Sequence, residues 1–209
     1  MRMNPILKKL HLEEKEFVTS FEIRNYCDIF DYNYYNTIRN LTSRGYLLRI
    51  FKGVFYLKTF DEVKLGKMKY SHLDLVSKGL ELKGVKNWYF GLQTALKLNN
   101  ATHEHFTMDY VINDKLFRSK PITINGYRFK FVKLKKGLMG FGVNRNIIQY
   151  SDMDKTILDL IYIWRYNGKP EVKIIGDISE YRDHIVPDRI NQYSIHYPKS
   201  VKRTLERII

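Results

Sequence analysis

Only one cysteine, Cys27, occurs in the 209 residues, so the chain cannot form an internal disulfide, as is usual in a reducing compartment. No apolar run approaches the roughly 18 residues needed to span a bilayer, and the first residues lead into no signal peptide. Only 5 prolines and 12 glycines accompany a hydrophobic fraction of 44%, which excludes a disordered or fibrous chain. We therefore expect a globular, cytoplasmic protein, built as one large domain or two small ones.

Acidic residues are scarce as well. Asp and Glu number 22 against 36 Lys and Arg, which gives a net charge of +14. Residues 115–151 contain no acid at all, and we call them the acid-free stretch. Such an excess predicts a polyanionic partner, although a basic face that only keeps the protein in solution is the alternative. The basic residues of the stretch are Lys115, Arg118, Lys120, Arg128, Lys130, Lys133, Lys135, Lys136 and Arg145.

The first 30 residues predict two helices. Residues 5–12 have apolar positions at helical spacing, and residues 17–18 form a short extended segment. Thr19 and Glu22 have the spacing of a capping box, which marks the start of the second helix. The apolar face of that helix is expected to consist of Ile23, Cys27 and Phe30.

Residues 31–60 predict a third helix and a hairpin. Asp31 is expected to cap the helix, in which Tyr34, Ile38 and Leu41 recur at helical spacing. Two β-rich runs follow, joined by a short loop that contains Gly53. This order of elements is that of a winged helix-turn-helix, which we assign to residues 1–60.

The rest of the chain predicts a mixed α/β domain over residues 71–209, after a polar linker at 61–70. Residues 71–82 are amphipathic, which predicts a helix at its start. Strands dominate its middle, where Asn125-Gly126 is a strong hairpin signal. A strand at 147–150 is followed by a helix that Ser151 is expected to cap, and short helices fill the remainder. The predicted fold class is thus α/β, with an N-terminal winged helix-turn-helix and a C-terminal α/β domain.

Three segments of the sequence carry a family resemblance. The run from Arg44 to Tyr56, RGYLLRIFKGVFY, is similar to the end of the winged domain of AbiEi-type antitoxins. YFGLQTAL at 89–96 and SDMDKTILD at 151–159 resemble two elements of that family's second domain, in the same order and at similar spacing. Asp154 stands where the family usually has Glu. The resemblance spans nearly the whole chain and weakens after about residue 170.

The resemblance implies a transcriptional repressor that is the antitoxin of a type IV, abortive-infection toxin–antitoxin system. The family's winged domain binds inverted repeats in its own promoter as double-stranded DNA. Its second domain is needed to neutralise a nucleotidyltransferase-like toxin encoded beside it. We further expect a monomer in solution or a dimer on DNA, with no cofactor and no membrane association.

The residues expected to contact DNA lie on the third helix and the hairpin. Asn can bond adenine and Arg can bond guanine through two hydrogen bonds, while Tyr, Lys and Arg reach phosphates. With Tyr34, Ile38 and Leu41 in the core, the outer side of the helix is left for DNA. The expected contacts are Tyr32, Asn33, Tyr35, Asn36, Arg39 and Asn40 from the helix region, with Arg44, Arg49 and Lys52 from the hairpin region.

A second set of DNA contacts is expected on a strand of the second domain. There Arg128 and Lys130 alternate with Tyr127, Phe129 and Phe131, so one strand face is basic and the other aromatic. The basic face suits a phosphate backbone or an acidic protein, and the sequence does not separate the two. The set comprises Arg128, Lys130, Lys133, Lys135 and Lys136.

Two other functions remain as alternatives. A DNA nuclease would need clustered carboxylates to bind magnesium, for which Asp109 and Asp154 are the best candidates. Asp154 and Asp159 are better explained as charges at a helix start and on the surface. His103 and His105 have a spacing that suits metal on a strand, but they lack further ligands. We therefore predict a protein that is not an enzyme and holds no metal; a pure protein-interaction module is the third possibility.

Overall fold

The structure, a computed structural model, describes residues 4–146 and 148–209. The chain divides into two compact units, Met1–Gly84 and Val85–Ile209. This division lies later in the chain than the linker that the sequence suggested at 61–70. None of the helices in the described ranges combines the length and the apolar character that a bilayer crossing requires.

The first unit has the topology of a winged helix-turn-helix, as predicted. Its three strands form an antiparallel sheet in the order β1-β3-β2, and the helices pack on it through a small apolar core that includes Cys27. Capping residues and apolar residues at helical spacing predict these helices from the sequence. They are α1 (Pro5–Leu12), β1 (Phe17–Thr19), α2 (Ser20–Phe30), α3 (Tyr34–Ser43), β2 (Leu47–Phe51) and β3 (Val54–Leu57).

The turn between α2 and α3 differs from the prediction. Asp31 does not cap α3; it ends α2 in the left-handed conformation, with φ at 54°. Asn33 is the cap, and its side chain accepts a hydrogen bond from the Asn36 backbone amide. Asp tolerates the left-handed conformation that this tight turn requires, so Asp31 forms the turn and Asn33 caps the helix. The prediction that Phe30 is buried is also wrong, because it is 37% exposed where α2 ends.

The segment expected to be a linker is partly helical. It contains α4 (Phe60–Leu65), which begins with a capping box between Thr59 and Glu62. The Glu62 carboxylate also accepts hydrogen bonds of 2.6 Å from the Tyr56 hydroxyl and from the Lys69 amide. This carboxylate therefore attaches the segment to β3.

The next helix, α5 (His72–Leu82), belongs to the first unit and packs against the hairpin. A Cβ atom added at Gly79 would lie 2.7 Å from side-chain atoms of Ile50 and Phe51. Only glycine permits such close contact between helix and strand. Its amphipathic pattern was predicted correctly, but the pattern does not specify the surface on which a helix packs.

The second unit is built on a six-stranded mixed sheet in the order β6-β7-β5-β4-β9-β8. The pairs β5–β7 and β4–β9 are parallel and the other pairs are antiparallel. Asn125 and Gly126 both have positive φ, which confirms the predicted tight hairpin. Ile147, in the strand predicted at 147–150, lies outside the described residues. The strands are β4 (Trp88–Phe90), β5 (Asp109–Asn113), β6 (Ile122–Ile124), β7 (Tyr127–Lys133), β8 (Val143–Arg145) and β9 (Gln149–Ser151).

Five helices accompany this sheet in the described ranges and share an apolar core with it that includes Tyr89, Ile112 and Ile157. Asp152, and not Ser151 as predicted, caps the longest of them, by accepting a hydrogen bond of 2.9 Å from the Lys155 amide. Ser151 is instead the last residue of β9. The helices are α6 (Leu92–Leu98), α7 (Met153–Tyr166), α8 (Glu171–Ser179), α9 (Pro187–Ser194) and α10 (Lys199–Leu205).

Candidate nucleic-acid interface

The outer face of α3 is polar and exposed. The inner side of the helix carries Thr37, Ile38 and Leu41, which are buried. The helical register is therefore the one predicted from the sequence. All six residues expected to contact DNA in this region are exposed: Tyr32, Asn33, Tyr35, Asn36, Arg39 and Asn40.

Hydrogen bonds within this face orient its side chains. Because Asn33 Oδ1 caps the helix, that oxygen is committed to the backbone amide of Asn36 at 3.0 Å. The Arg39 guanidinium donates to Asn36 Oδ1 at 3.1 Å, which holds the arginine along the exposed face. A guanidinium has five N–H donors, so this contact leaves others that are able to bond a base or a phosphate.

A groove of about 470 Å³ runs between α3 and the hairpin. Its walls include Tyr35 and Arg39 from α3 and Arg49 from β2. Tyr35 is 71% exposed, and Arg49 is exposed with its Cζ atom 5.5 Å from the centre of the Phe55 ring. A groove between two guanidinium groups is chemically suited to a phosphate-bearing strand.

A second groove, of about 570 Å³, runs along α3 and is also lined by the start of α1. Asn36, Asn40 and Arg44 contribute to its wall, and so does Asp31 from the preceding turn. Arg44 is only partly exposed, and its Cζ atom lies 5.6 Å from the centre of the Tyr46 ring. The residues predicted on α3 therefore surround two concave surfaces and not a single flat one.

Two basic residues near this surface were missed in the sequence. Arg24 on α2 is exposed, and its Cζ atom lies 4.2 Å from the centre of the Tyr34 ring. Lys83 follows α5 and donates a hydrogen bond from Nζ to the backbone carbonyl of Lys52 at the hairpin turn. From the sequence alone, Lys83 was placed in the second domain and was therefore not counted among the DNA contacts. In the structure Lys83 lies at the hairpin turn. Phe51, beside Lys52, is buried.

The basic strand of the second unit largely follows its predicted pattern. Phe129 and Phe131 on β7 are buried, while Arg128 is exposed and Lys130 is partly exposed. Tyr127 departs from the pattern because it is 49% exposed at the strand end beside the turn. The remaining predicted contacts of this unit are exposed and follow along the chain: Lys133, Lys135 and Lys136.

Every residue of the segment 151–159 except the partly exposed Asp152 is buried, which contradicts the expectation of a surface charge at Asp159. Lys155 and Asp159 are fully buried on α7, with Lys155 Nζ 3.5 Å from Asp159 Oδ2. The Asp159 carboxylate accepts hydrogen bonds of 2.7 Å from the hydroxyls of Tyr89 and Tyr197. Burial lowers the pKa of Lys155, and the neighbouring Asp159 carboxylate opposes this shift. We refer to these four side chains as the Lys155 network.

Asp154 is buried as well and is not merely a charge at a helix start. One carboxylate oxygen accepts a hydrogen bond of 2.9 Å from the Val186 amide. The other forms an ion pair with the guanidinium of Arg189 on α9. Asp154 thereby joins α7 to the segment around α9, and its oxygens already have protein partners.

The other residues weighed for metal binding are not assembled into a site. Asp109 is 8% exposed and accepts a hydrogen bond of 3.1 Å from the Thr94 hydroxyl. His103 and His105 are exposed in an irregular segment and not on a strand, where their spacing would suit a metal. Within residues 4–146 and 148–209, no group of three or more His, Cys, Asp or Glu side chains is placed to hold a metal ion.

The comparisons with known proteins bear on the fold alone. No protein-family model and no curated protein matches this chain. Among solved structures, the chain is similar to the crystal structure of the RV2827C protein from Mycobacterium tuberculosis, with a TM-score of 0.62 and 11% sequence identity. The match covers 99% of this chain and 77% of that one. The chain therefore shares its fold with a distant protein.

Proposed function

We propose that this protein is a sequence-specific DNA-binding repressor of the AbiEi antitoxin type, acting in the cytoplasm without catalysis. The resemblance of three segments to that family is the basis for the antitoxin role and for a nucleotidyltransferase-like toxin as partner. DNA binding has independent support from the residues of the first unit.

The observation that carries the proposal is the exposed outer face of α3 within a winged helix-turn-helix. In that fold this helix enters the major groove, where Asn and Arg side chains distinguish base pairs. Asn36, Arg39 and Asn40 all lie on the exposed face, and Arg49 faces Arg39 across a groove. Base contacts from α3 would give specificity, and phosphate contacts from the hairpin would fix the orientation.

The second unit contributes positive charge to the proposed complex. Arg128, Lys133, Lys135 and Lys136 are exposed within the acid-free stretch. Each phosphate that a protein neutralises releases counterions, so binding weakens as salt rises. The proposal therefore includes a strong salt dependence for the full chain.

The experiment is a fluorescence-anisotropy titration of the full chain with a labelled duplex from upstream of its own gene and with a scrambled duplex. We expect tighter binding to the upstream duplex and a steep decline of affinity with salt. Lys52→Ala should weaken binding to both duplexes and flatten the log–log salt slope by about 0.9. Lys173→Ala, which removes an exposed lysine from α8, is the matched control. Equal affinity for the two duplexes would contradict sequence-specific binding.

A further inference from the structure

The loop between β5 and β6 presents an aromatic side chain to solvent inside the acid-free stretch. Phe117 is 71% exposed, and its neighbours Arg118 and Lys120 are exposed as well. A fully buried Phe would contribute about 1.5–3 kcal/mol to folding, and at this position most of that contribution is not realised. An exposed aromatic ring beside two cations is a combination found on surfaces that bind nucleic acid.

The loop is attached to the sheet on both sides of Phe117. The buried Asn113 side chain, at the end of β5, accepts hydrogen bonds through Oδ1 from the backbone amides of Lys115 and Leu116. Lys130 on β7 donates a hydrogen bond from Nζ to the backbone carbonyl of Ser119. The Phe117 ring therefore extends from a loop whose ends are fixed, which lowers the entropy lost when the ring binds a ligand.

The neighbouring hairpin extends the same chemistry. Arg128 on β7 is exposed and pairs across the strands with Thr123 of β6. Arg128 and Lys130 lie two residues apart on β7 and therefore on the same face of the sheet, and Lys130 joins the loop to that strand. We name Phe117, Arg118, Lys120 and Arg128 the Phe117 surface.

The combination of an exposed ring with cations and no acid favours one class of ligand. A phosphate backbone satisfies the cations, but a stacked duplex offers no base faces to an aromatic ring. Single strands do expose base faces, and aromatic side chains flanked by basic ones bind them by stacking. We propose that the Phe117 surface binds single-stranded nucleic acid, an activity separate from duplex binding by α3.

The test measures binding of the full chain to fluorescein-labelled dT15 and rU15 at low salt. We expect both to bind, and Phe117→Ala to weaken binding by about 5- to 150-fold, the range measured for loss of one stacked base. Tyr166→Ala removes another exposed aromatic residue of the same unit, 82% exposed, and should leave the affinity unchanged. Phe117→Trp should retain binding, and oligonucleotide should quench its fluorescence relative to the wild type.

A duplex titration separates this inference from the proposed function. Phe117→Ala should bind the upstream duplex with wild-type affinity, because stacking plays no part there. The inference is overturned if the wild type binds neither oligomer, or if Phe117→Ala binds them as the wild type does. Equal loss of single-strand and duplex binding would also overturn it. Competition by polyglutamate as strong as that by oligonucleotide would indicate an acidic protein as the ligand and would overturn it too.

Discussion

Replacing Asp159 by asparagine removes the only negative charge of the Lys155 network while keeping the shape of the side chain. Asp159 is fully buried, pairs with Lys155 at 3.5 Å, and accepts hydrogen bonds from two tyrosine hydroxyls. Asp159→Asn leaves the Lys155 ammonium buried among aromatic rings, with the Asp152 carboxylate as its remaining countercharge. The rings of Tyr89 and Phe141 have their centres 4.9 and 4.6 Å from Nζ, but they cannot replace a carboxylate.

The magnitude follows from removing one partner of a buried pair. Such changes cost about 3–5 kcal/mol, because the remaining charge has lost both water and its partner. Asparagine still accepts one of the two tyrosine hydrogen bonds, so the loss lies chiefly in the charge. A domain of this size is stable by about 5–15 kcal/mol, which makes the variant a large perturbation that leaves a folded protein at low temperature.

The pH dependence of the Asp159→Asn variant has a definite sign. Burial already lowers the pKa of Lys155, and removal of the carboxylate that opposes this shift lowers it further. Between that lowered pKa and the ordinary value of 10.5, the unfolded chain binds more protons at Lys155 than the folded chain does. The stability of Asp159→Asn should therefore rise, relative to wild type, as the pH increases from 7 toward 10.

Urea unfolding followed by circular dichroism at pH 7 and pH 9 measures the loss of unfolding free energy and its dependence on pH. The double variant Lys155→Met/Asp159→Asn should recover much of the loss, since it removes the unpaired buried ammonium while the amide oxygen at position 159 still accepts a tyrosine hydrogen bond. Lys169→Met is the control, because Lys169 pairs with a half-exposed Asp177 and should cost under about 1 kcal/mol. A loss below about 1 kcal/mol for Asp159→Asn, or no recovery in the double variant, would refute the reasoning.

Three further variants test other parts of the structure. Asp154→Ala should lower the unfolding free energy by about 2–4 kcal/mol, because it leaves the Val186 amide without its acceptor. A charge that only interacted with the helix dipole would contribute about 0.3–1 kcal/mol, and thermal denaturation distinguishes the two values. Burial raises the pKa of Glu62, but hydrogen bonds from the Tyr56 hydroxyl and two backbone amides outweigh it, so the pKa is lowered. Glu62→Gln should therefore destabilise the protein at pH 7, and the difference in unfolding free energy from wild type should shrink as the pH falls through and below 4.5. A difference that does not depend on pH would contradict this. Gly142→Ala should lower the free energy of urea unfolding by about 1–3 kcal/mol, since the added Cβ would lie 2.7 Å from the Cβ of Lys155. Gly137→Ala is the control, because no atom lies within 4 Å of its added Cβ, and it should lower that free energy by under about 0.5 kcal/mol.

The outer face of α3 could be predicted from the sequence because its signals are local. Apolar residues at helical spacing fix which side of a helix is buried, and a capping residue fixes where it begins. Even here the choice between Asp31 and Asn33 as the cap required the structure, since both residue types are suitable. The choice depends on which residue takes the left-handed conformation in the turn.

The burial of the Lys155 network could not be predicted from local signals. A Lys and an Asp four residues apart on a helix are typical of an exposed ion pair. The partners that bury them, Tyr89 and Tyr197, lie far away in the sequence and meet α7 only in the folded chain. The sequence of α7 does not indicate this burial either, because the buried residues of its first turns include the polar Asp154, Lys155, Thr156 and Asp159.

The placement of α5 shows the same limit. Its amphipathic pattern was visible in the sequence, but the surface on which it packs was not. Contact with Ile50 and Phe51 places this helix in the first unit, and Lys83 comes with it to the hairpin turn. A boundary drawn from polar composition could not reveal that contact.

The most direct test of the account is the ratio of affinities for the upstream duplex and the scrambled duplex, measured for wild type and Arg39→Ala. A guanidinium that contacts a base contributes about 1–3 kcal/mol of discrimination, so Arg39→Ala should lower the ratio by about 5- to 150-fold. Its affinity for the scrambled duplex should change much less. An unchanged ratio, in a variant whose circular dichroism spectrum matches that of wild type, would contradict the claim that the outer face of α3 recognises base sequence.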